Sequence, residues 1–294
     1  EEEFVEVAHA EEEERARMFR LHAVVLLHGG CGRHGHGRLG FNQEERGSAS
    51  ISSVSSVPSI IPSRPLPLIL ALDTSSSLGS VALARGGTLI ETRAFEADHG
   101  HSRRLLPAIE GLFTDAGLGV DEVDLFAIVV GPGSFTGLRV SLACVRGLAG
   151  TKPCFGALAT DVAAWAARGR GSRILAVTDL FHGEVFASAH DEAGALVSNR
   201  ESGDLAGVLT ALRDFVSGPA VATGSAATKH AAEISAAFPG IEVLALEGGL
   251  APHLAGLAHT AASPETTGPA GELLPYYLRD PLTRGLLNSQ PRAR

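Results

Sequence analysis

Residues 68–92 read LILALDTSSSLGSVALARGGTLIET, and this stretch decides the fold. Leu68 to Leu72 is an unbroken apolar run ending in Asp73, the pattern of a strand covered on both faces. Thr74 and three serines make a polar turn, Gly79 to Ala84 reads as a second strand, and Gly86-Gly87 closes a tight hairpin onto a third strand, Thr88 to Thr92. Downstream, Ser102 to Gly117 carries Leu105, Leu106, Ile109, Leu112, Phe113 and Ala116 at helical spacing. Ser102 is the expected N-cap, Gly117 the C-terminal cap, and Pro107 predicts a late start or a slight bend. A buried strand, Leu125 to Val130, then a glycine loop, a helix over Leu138 to Gly150, a short strand at Phe155 and a helix over Thr160 to Ala167 complete the series. Three hairpin strands followed by alternating helix and strand predict a mixed α/β sheet covered by helices.

Beyond a Gly/Arg-rich link at Arg168 to Ser172 the pattern restarts. Ile174 to Thr178, Glu184 to Ala189 and Ala195 to Glu201 read as three successive strands. Helical stretches follow near Asp204 to Val216, Ala226 to Ala237 and Pro252 to Ala262. Two lobes are expected, 67–170 and a smaller 171–294.

Residues 1–66 have a different texture: acidic clusters, a Gly/His/Arg tract, then a Ser-rich run closed by Pro58, Pro62, Pro65 and Pro67. Such a segment buries too little apolar area to offset its conformational entropy. It reads as a disordered, low-complexity extension or an over-extended reading frame. Its cluster of His28, Cys31, His34 and His36 has metal-ligand chemistry but no turn framework to hold four ligands, so no metal is assigned to it.

A net charge of -9 gives no general attraction to phosphates, and 5% aromatic residues are too few for a base-stacking platform. Cys31, Cys144 and Cys154 show no paired spacing, which favours a reducing compartment. The early apolar run, Ala23 to Leu27, is far too short for a membrane span. A soluble cytoplasmic protein is expected.

The most specific motif is Gly131-Pro132-Gly133-Ser134-Phe135-Thr136-Gly137-Leu138-Arg139-Val140, set between a strand and a helix. Glycines permit close backbone approach, and the helix start offers free N–H groups, so an anion cradle is one reading. The Lys-[Ser/Thr] ending of a phosphate-binding P-loop is missing, as are the flanks of a nucleophile elbow. A structural turn that seats the helix is the equal alternative.

Leu70 to Ser75, His101 to Pro107, Gly131 to Arg139, Asp179 to Phe186 and Pro275 to Arg279 together resemble the TsaB (YeaZ) family, over about residues 67–285. The resemblance implies the actin-like/sugar kinase/Hsp70 (ASKHA) two-lobe fold with a shortened second lobe. It also implies a non-catalytic subunit that pairs through its N-terminal lobe with a TsaD-type catalytic subunit. With a TsaE-type ATPase, the pair supports threonylcarbamoylation of the adenosine beside the tRNA anticodon. The tRNA is reached only through the complex, no membrane is involved, and a homodimer of the isolated chain stays open. TsaD-type enzymes carry a His-x-x-x-His metal pair; the matching stretch here, Ala159 to Trp165, has no histidine. The alternative is an active actin-fold enzyme, ATP-dependent or metal-dependent and glycoprotease-like.

Asp73, Thr74, Ser75, Gly131, Gly133 and Ser134 are the candidates for a vestigial nucleotide site. No tightly bound cofactor is expected, and ATP or ADP only at a complex interface. His99 and His101 read as surface or capping residues, and His182 and Glu184 as structural. The candidate partner surface lies on two helices: Leu105, Ile109, Leu112 and Phe113 on one, and Ser141, Ala143, Cys144, Val145, Gly147 and Leu148 on the other. Small and apolar side chains nearly all round the second helix predict burial on two sides.

Overall fold

The computed structural model describes residues 66–97, 100–181 and 183–278. The extension, with its His/Cys cluster, therefore lies outside the described residues, as do His99, His182 and Arg279.

The first half runs β1 (Leu68–Asp73), β2 (Leu78–Arg85), β3 (Thr88–Glu96), α1 (His101–Ala116), β4 (Leu125–Gly131), α2 (Phe135–Leu148), β5 (Cys154–Leu158) and α3 (Ala159–Ala167). The second repeats it as β6 (Arg173–Asp179), β7 (Glu184–Asp191), β8 (Glu201–Asp204), α4 (Leu205–Ala211), β9 (Ala220–Thr223), α5 (Ala231–Ala237), β10 (Glu242–Leu244) and α6 (Ala251–Ala261), with β11 (Thr267–Gly268) last. The sheets are ordered β11-β5-β4-β1-β2-β3 and β10-β9-β6-β7-β8. Without β11 the two orders are the same, and so are the directions: the first hairpin is antiparallel, and the later strands are parallel to the opening one.

β1 is buried at all six positions because each face meets its own helices. Leu68, Leu70 and Leu72 pack with α1 and α2, whereas Ile69 and Ala71 face a second core that contains α3 and α6. Alanine dominates that second core: Ala159, Ala163, Ala164 and Ala167 of α3 and Ala251, Ala255 and Ala258 of α6 lie among Ile174, Ala176 and Val221 of the second sheet. Small side chains let the two helices sit between the two sheets at close spacing.

Several expectations change. The last helix was read with the second lobe, but α6 packs on β1, β2 and β4, and β11 joins the free edge of β5. An alanine-rich helix fits the face of β1 and β2 lined by Ala71, Ala82 and Ala84. The strand expected at Ala195 to Glu201 begins only at Glu201. The Asp191 carboxylate accepts the N–H groups of Ala193 (3.0 Å) and Ala195 (2.8 Å) and turns the chain first. Ser102 is not the N-cap of α1; Gly100 is, at φ 86°, and the helix runs from His101 through Pro107 without a late start. β9 and β10 are strands of four and three residues that the sequence does not announce.

Candidate functional site

At the carboxyl ends of β1 and β4 the glycine loop closes onto the β1–β2 turn. The Ser134 N–H donates to the Ser75 carbonyl (2.7 Å), and the Thr74 hydroxyl donates to the Gly137 carbonyl (2.8 Å). A Cβ on Gly133 would collide with the Ser75 carbonyl, and one on Gly137 with the Thr74 carbonyl. A Cβ on Gly131 would stand 2.8 Å from the Tyr276 carbonyl. These glycines are there because three backbones meet. The Gly137 N–H is taken by the Ser134 hydroxyl (3.2 Å), which caps α2. His101 is buried, with its Nε2 2.9 Å from the Ser76 carbonyl, a structural contact that ties α1 to the same turn.

The six vestigial nucleotide-site residues are thus brought together, but the amides of Ser134 and Gly137 are spent inside the protein. A phosphate cradle needs such donors facing outward. Those two amides are therefore not available to a phosphate. Asp73 is buried, and its Oδ1 accepts the N–H (2.8 Å) and hydroxyl (2.6 Å) of Ser75. Its Oδ2 is among the buried oxygens without a hydrogen bond. Burial raises its pKa, against the opposing pull of Ser75 and the Leu250 amide. Asp179, at the matching end of β6, is instead ion-paired to Lys229 (2.8 Å). No group of three or more His, Cys, Asp or Glu suited to a metal occurs among the described residues.

The candidate partner surface divides. Leu105, Ile109, Leu112 and Phe113 of α1 and Ser141 and Val145 of α2 are buried in the lobe's own core, so these six are corrected from surface to interior. They face β1, β2 and β4, whose apolar faces must be covered first. Ala143 and Gly147 are exposed, and Cys144 and Leu148 half-buried. A Cβ on Gly147 would meet nothing within 4 Å. Leu106 of α1 is 51% exposed, and α1 packs beside α2. Partial burial pushes the Cys144 thiol up to about 11, so it is an inert packing group at neutral pH.

One cluster was missed. Phe135 carries the Arg139 guanidinium 3.9 Å above its ring and meets the Tyr277 ring at 5.0 Å, while Arg139 Nε donates to the Tyr277 hydroxyl (3.1 Å). Both contributing stretches stand out in the sequence, but nothing local to either places them together. Asp161, on the helix that lacks a histidine pair, instead binds Arg200 of the second lobe through both oxygens (2.8 and 2.9 Å).

Twin sheets of this order, with helices between and outside them, define an actin-like (ASKHA) two-lobe α/β protein. The family model described as TsaD, tRNA N6-adenosine threonylcarbamoyltransferase, matches residues 95–193. The tRNA threonylcarbamoyladenosine biosynthesis protein TsaB of Haemophilus influenzae is 43% identical over 81 residues, 28% of this chain and 34% of that protein. The TsaB of Escherichia coli is 35% identical over 124 residues, 40% of this chain and 52% of its own. The chain thus spans a third to a half of the length of these curated relatives. A solved structure described as an uncharacterized protein from Pseudomonas aeruginosa with similarity to peptidase YEAZ superposes over its whole length and 73% of this chain, with a TM-score of 0.59 and 26% identity. Over these stretches the chain is similar to TsaB/YeaZ proteins.

Proposed function

We propose that this chain is a non-catalytic scaffold subunit that binds a TsaD-type threonylcarbamoyltransferase and supports formation of N6-threonylcarbamoyladenosine beside the tRNA anticodon. The observation that carries it is the outer face of α2, where Ala143 and Gly147 lie exposed and space is open beyond Gly147. A helix face stripped to small residues lets a second helix approach closely, and Leu106 and Leu148 supply apolar area beside it. The glycine loop, whose Ser134 and Gly137 amides are spent on the chain itself, favours a subunit that shapes a partner over one that turns over substrate. The acidic chain leaves tRNA contact to the rest of the complex. A TsaE-type ATPase joins the same assembly in the cytoplasm, and ATP or ADP is bound only where subunits meet.

Co-purification with a TsaD-type subunit, then reconstitution of tRNA modification with and without this chain, tests the reading. Modification that requires the chain, with no turnover by the chain alone, is expected. Full modification in its absence, or transferase or peptidase turnover by the purified chain, overturns it.

A further inference from the structure

Two arginines stand on the outer face of α2 with no carboxylate to answer them. Arg139 and Arg146 are exposed, and neither is ion-paired among the described residues, although the chain carries a net charge of -9. Their separation in sequence is two helical turns, about 10 Å along one face. Ala143 lies between them and Gly147 beside the second, so the small-residue contact is flanked by cations.

Neutral groups of the segment 269–278, which returns across α2 after β11, hold both guanidiniums in place. Arg139 lies 3.9 Å above the Phe135 ring, and its Nε donates to the Tyr277 hydroxyl (3.1 Å). Arg146 donates from Nε to the Ala270 carbonyl (3.3 Å) and from Nη2 to the Leu273 carbonyl (2.8 Å). The segment is itself tied to the first sheet, the Tyr276 N–H donating to the Val130 carbonyl (2.8 Å). Carbonyls, a hydroxyl and a ring orient a guanidinium without neutralising it. Both η nitrogens of Arg139 and Nη1 of Arg146 keep their donors for an incoming acceptor.

We propose that Arg139 and Arg146 are twin cationic anchors for a partner helix that lies along α2 and carries two carboxylates about two turns apart. Between those carboxylates, a small or apolar side chain packs over Ala143 and Gly147. Charge complementarity selects this occupant: a guanidinium fixed before binding loses less freedom when its carboxylate arrives, and the bond it forms is of the strong kind. The same charges speed encounter with an acidic face and reject a basic one. Tyr277 is a positioning residue that acts through Arg139.

The inference rests on the pairing of α2 with a TsaD-type subunit proposed above, and the experiment separates the two. Affinity for that purified subunit is measured by titration calorimetry at low and high salt. The unaltered chain should bind about tenfold more weakly at high salt, as screening requires. Arg139→Glu and Arg146→Glu should each weaken binding about tenfold or more at low salt and flatten the salt dependence, with circular dichroism unchanged. Arg213→Glu, an exposed charge reversal on the second lobe, should do neither. Tyr277→Phe keeps the ring and should weaken binding about threefold, but add nothing in an Arg139→Ala background. A chain that forms no complex under any condition overturns the proposed function and this inference with it. A tight complex indifferent to salt and to both reversals overturns the inference alone. An Arg213→Glu effect as large as the other two does the same, since net charge would then account for it. A Tyr277→Phe loss that persists without Arg139 removes the positioning role.

Discussion

Asp73 is a carboxyl group held where water does not reach, with one oxygen served by Ser75. Because burial raises its pKa in the folded state, the folded chain holds that proton more tightly than the unfolded chain does. Stability from this residue is therefore lost progressively as pH rises above the unfolded value, near 3.8, toward the raised folded value. Asp73→Asn keeps an oxygen for Ser75 and removes the titration. Its melting temperature, relative to the unaltered chain, should rise between pH 4 and pH 7.5, by about 2–4 °C for each kcal/mol of penalty. Thermal melts at the two pH values check this; an unchanged difference would show that Asp73 does not titrate on folding. The sequence marks Asp73 plainly, as the polar end of an apolar run. It does not disclose that the neighbouring glycines serve backbone contacts, since that depends on Ser75 and Tyr276 arriving from distant positions.

At the scale of one element, α2 carries two glycines with opposite requirements. A methyl group at Gly137 runs into the Thr74 carbonyl, whereas at Gly147 it meets open space. Gly137→Ala should destabilise the fold by about 1–3 kcal/mol through overpacking. Gly147→Ala should stabilise it by about 0.5–1 kcal/mol, the usual gain from replacing glycine inside a helix. Urea denaturation of the two variants reads both signs. Gly147→Leu should leave circular dichroism unchanged and weaken binding to a TsaD-type subunit tenfold or more, since 1.4 kcal/mol already has that effect. A normal complex would remove α2 from the interface. Periodicity found α2 and the three opening strands because each is long, apolar and bounded by glycine or hydroxyl residues. It missed β9 and β10, which are too short to show alternation, and it assigned Leu105, Ile109 and Val145 to a partner because a face that covers its own sheet looks the same in sequence as one that covers another protein's.

Over the whole molecule, the alanine-rich core and, among the described residues, an ion pair join the two lobes. Arg200 and Asp161 retain only 8% and 13% side-chain exposure. Fully buried His190 lies near them and stays neutral, its pKa lowered chiefly by burial. Asp161→Asn would leave the Arg200 charge without its counterion in that interior. It should cost about 3–5 kcal/mol, the usual penalty for breaking a buried pair from one side, read as a lower urea midpoint. A loss below about 0.5 kcal/mol, the range of ordinary surface changes, would show that the lobes are held by packing alone. This pair was not legible beforehand, because its halves stand in different lobes and neither has a local signature.

The return of α6 and β11 to the first sheet has a consequence for synthesis. A ribosome releases the chain from its N-terminal side, and domains ordinarily fold as they emerge. Here the earliest lobe cannot be finished early. The face of β1 and β2 lined by Ile69, Ala71, Ala82 and Ala84 waits for Ala251, Leu254, Ala255 and Ala258 to be translated. Nearly the whole second lobe emerges in the interval, with that apolar face bare. A nascent chain stalled before Leu250 should therefore be protease-sensitive and recruit holding chaperones, and release should come only when α6 clears the exit tunnel.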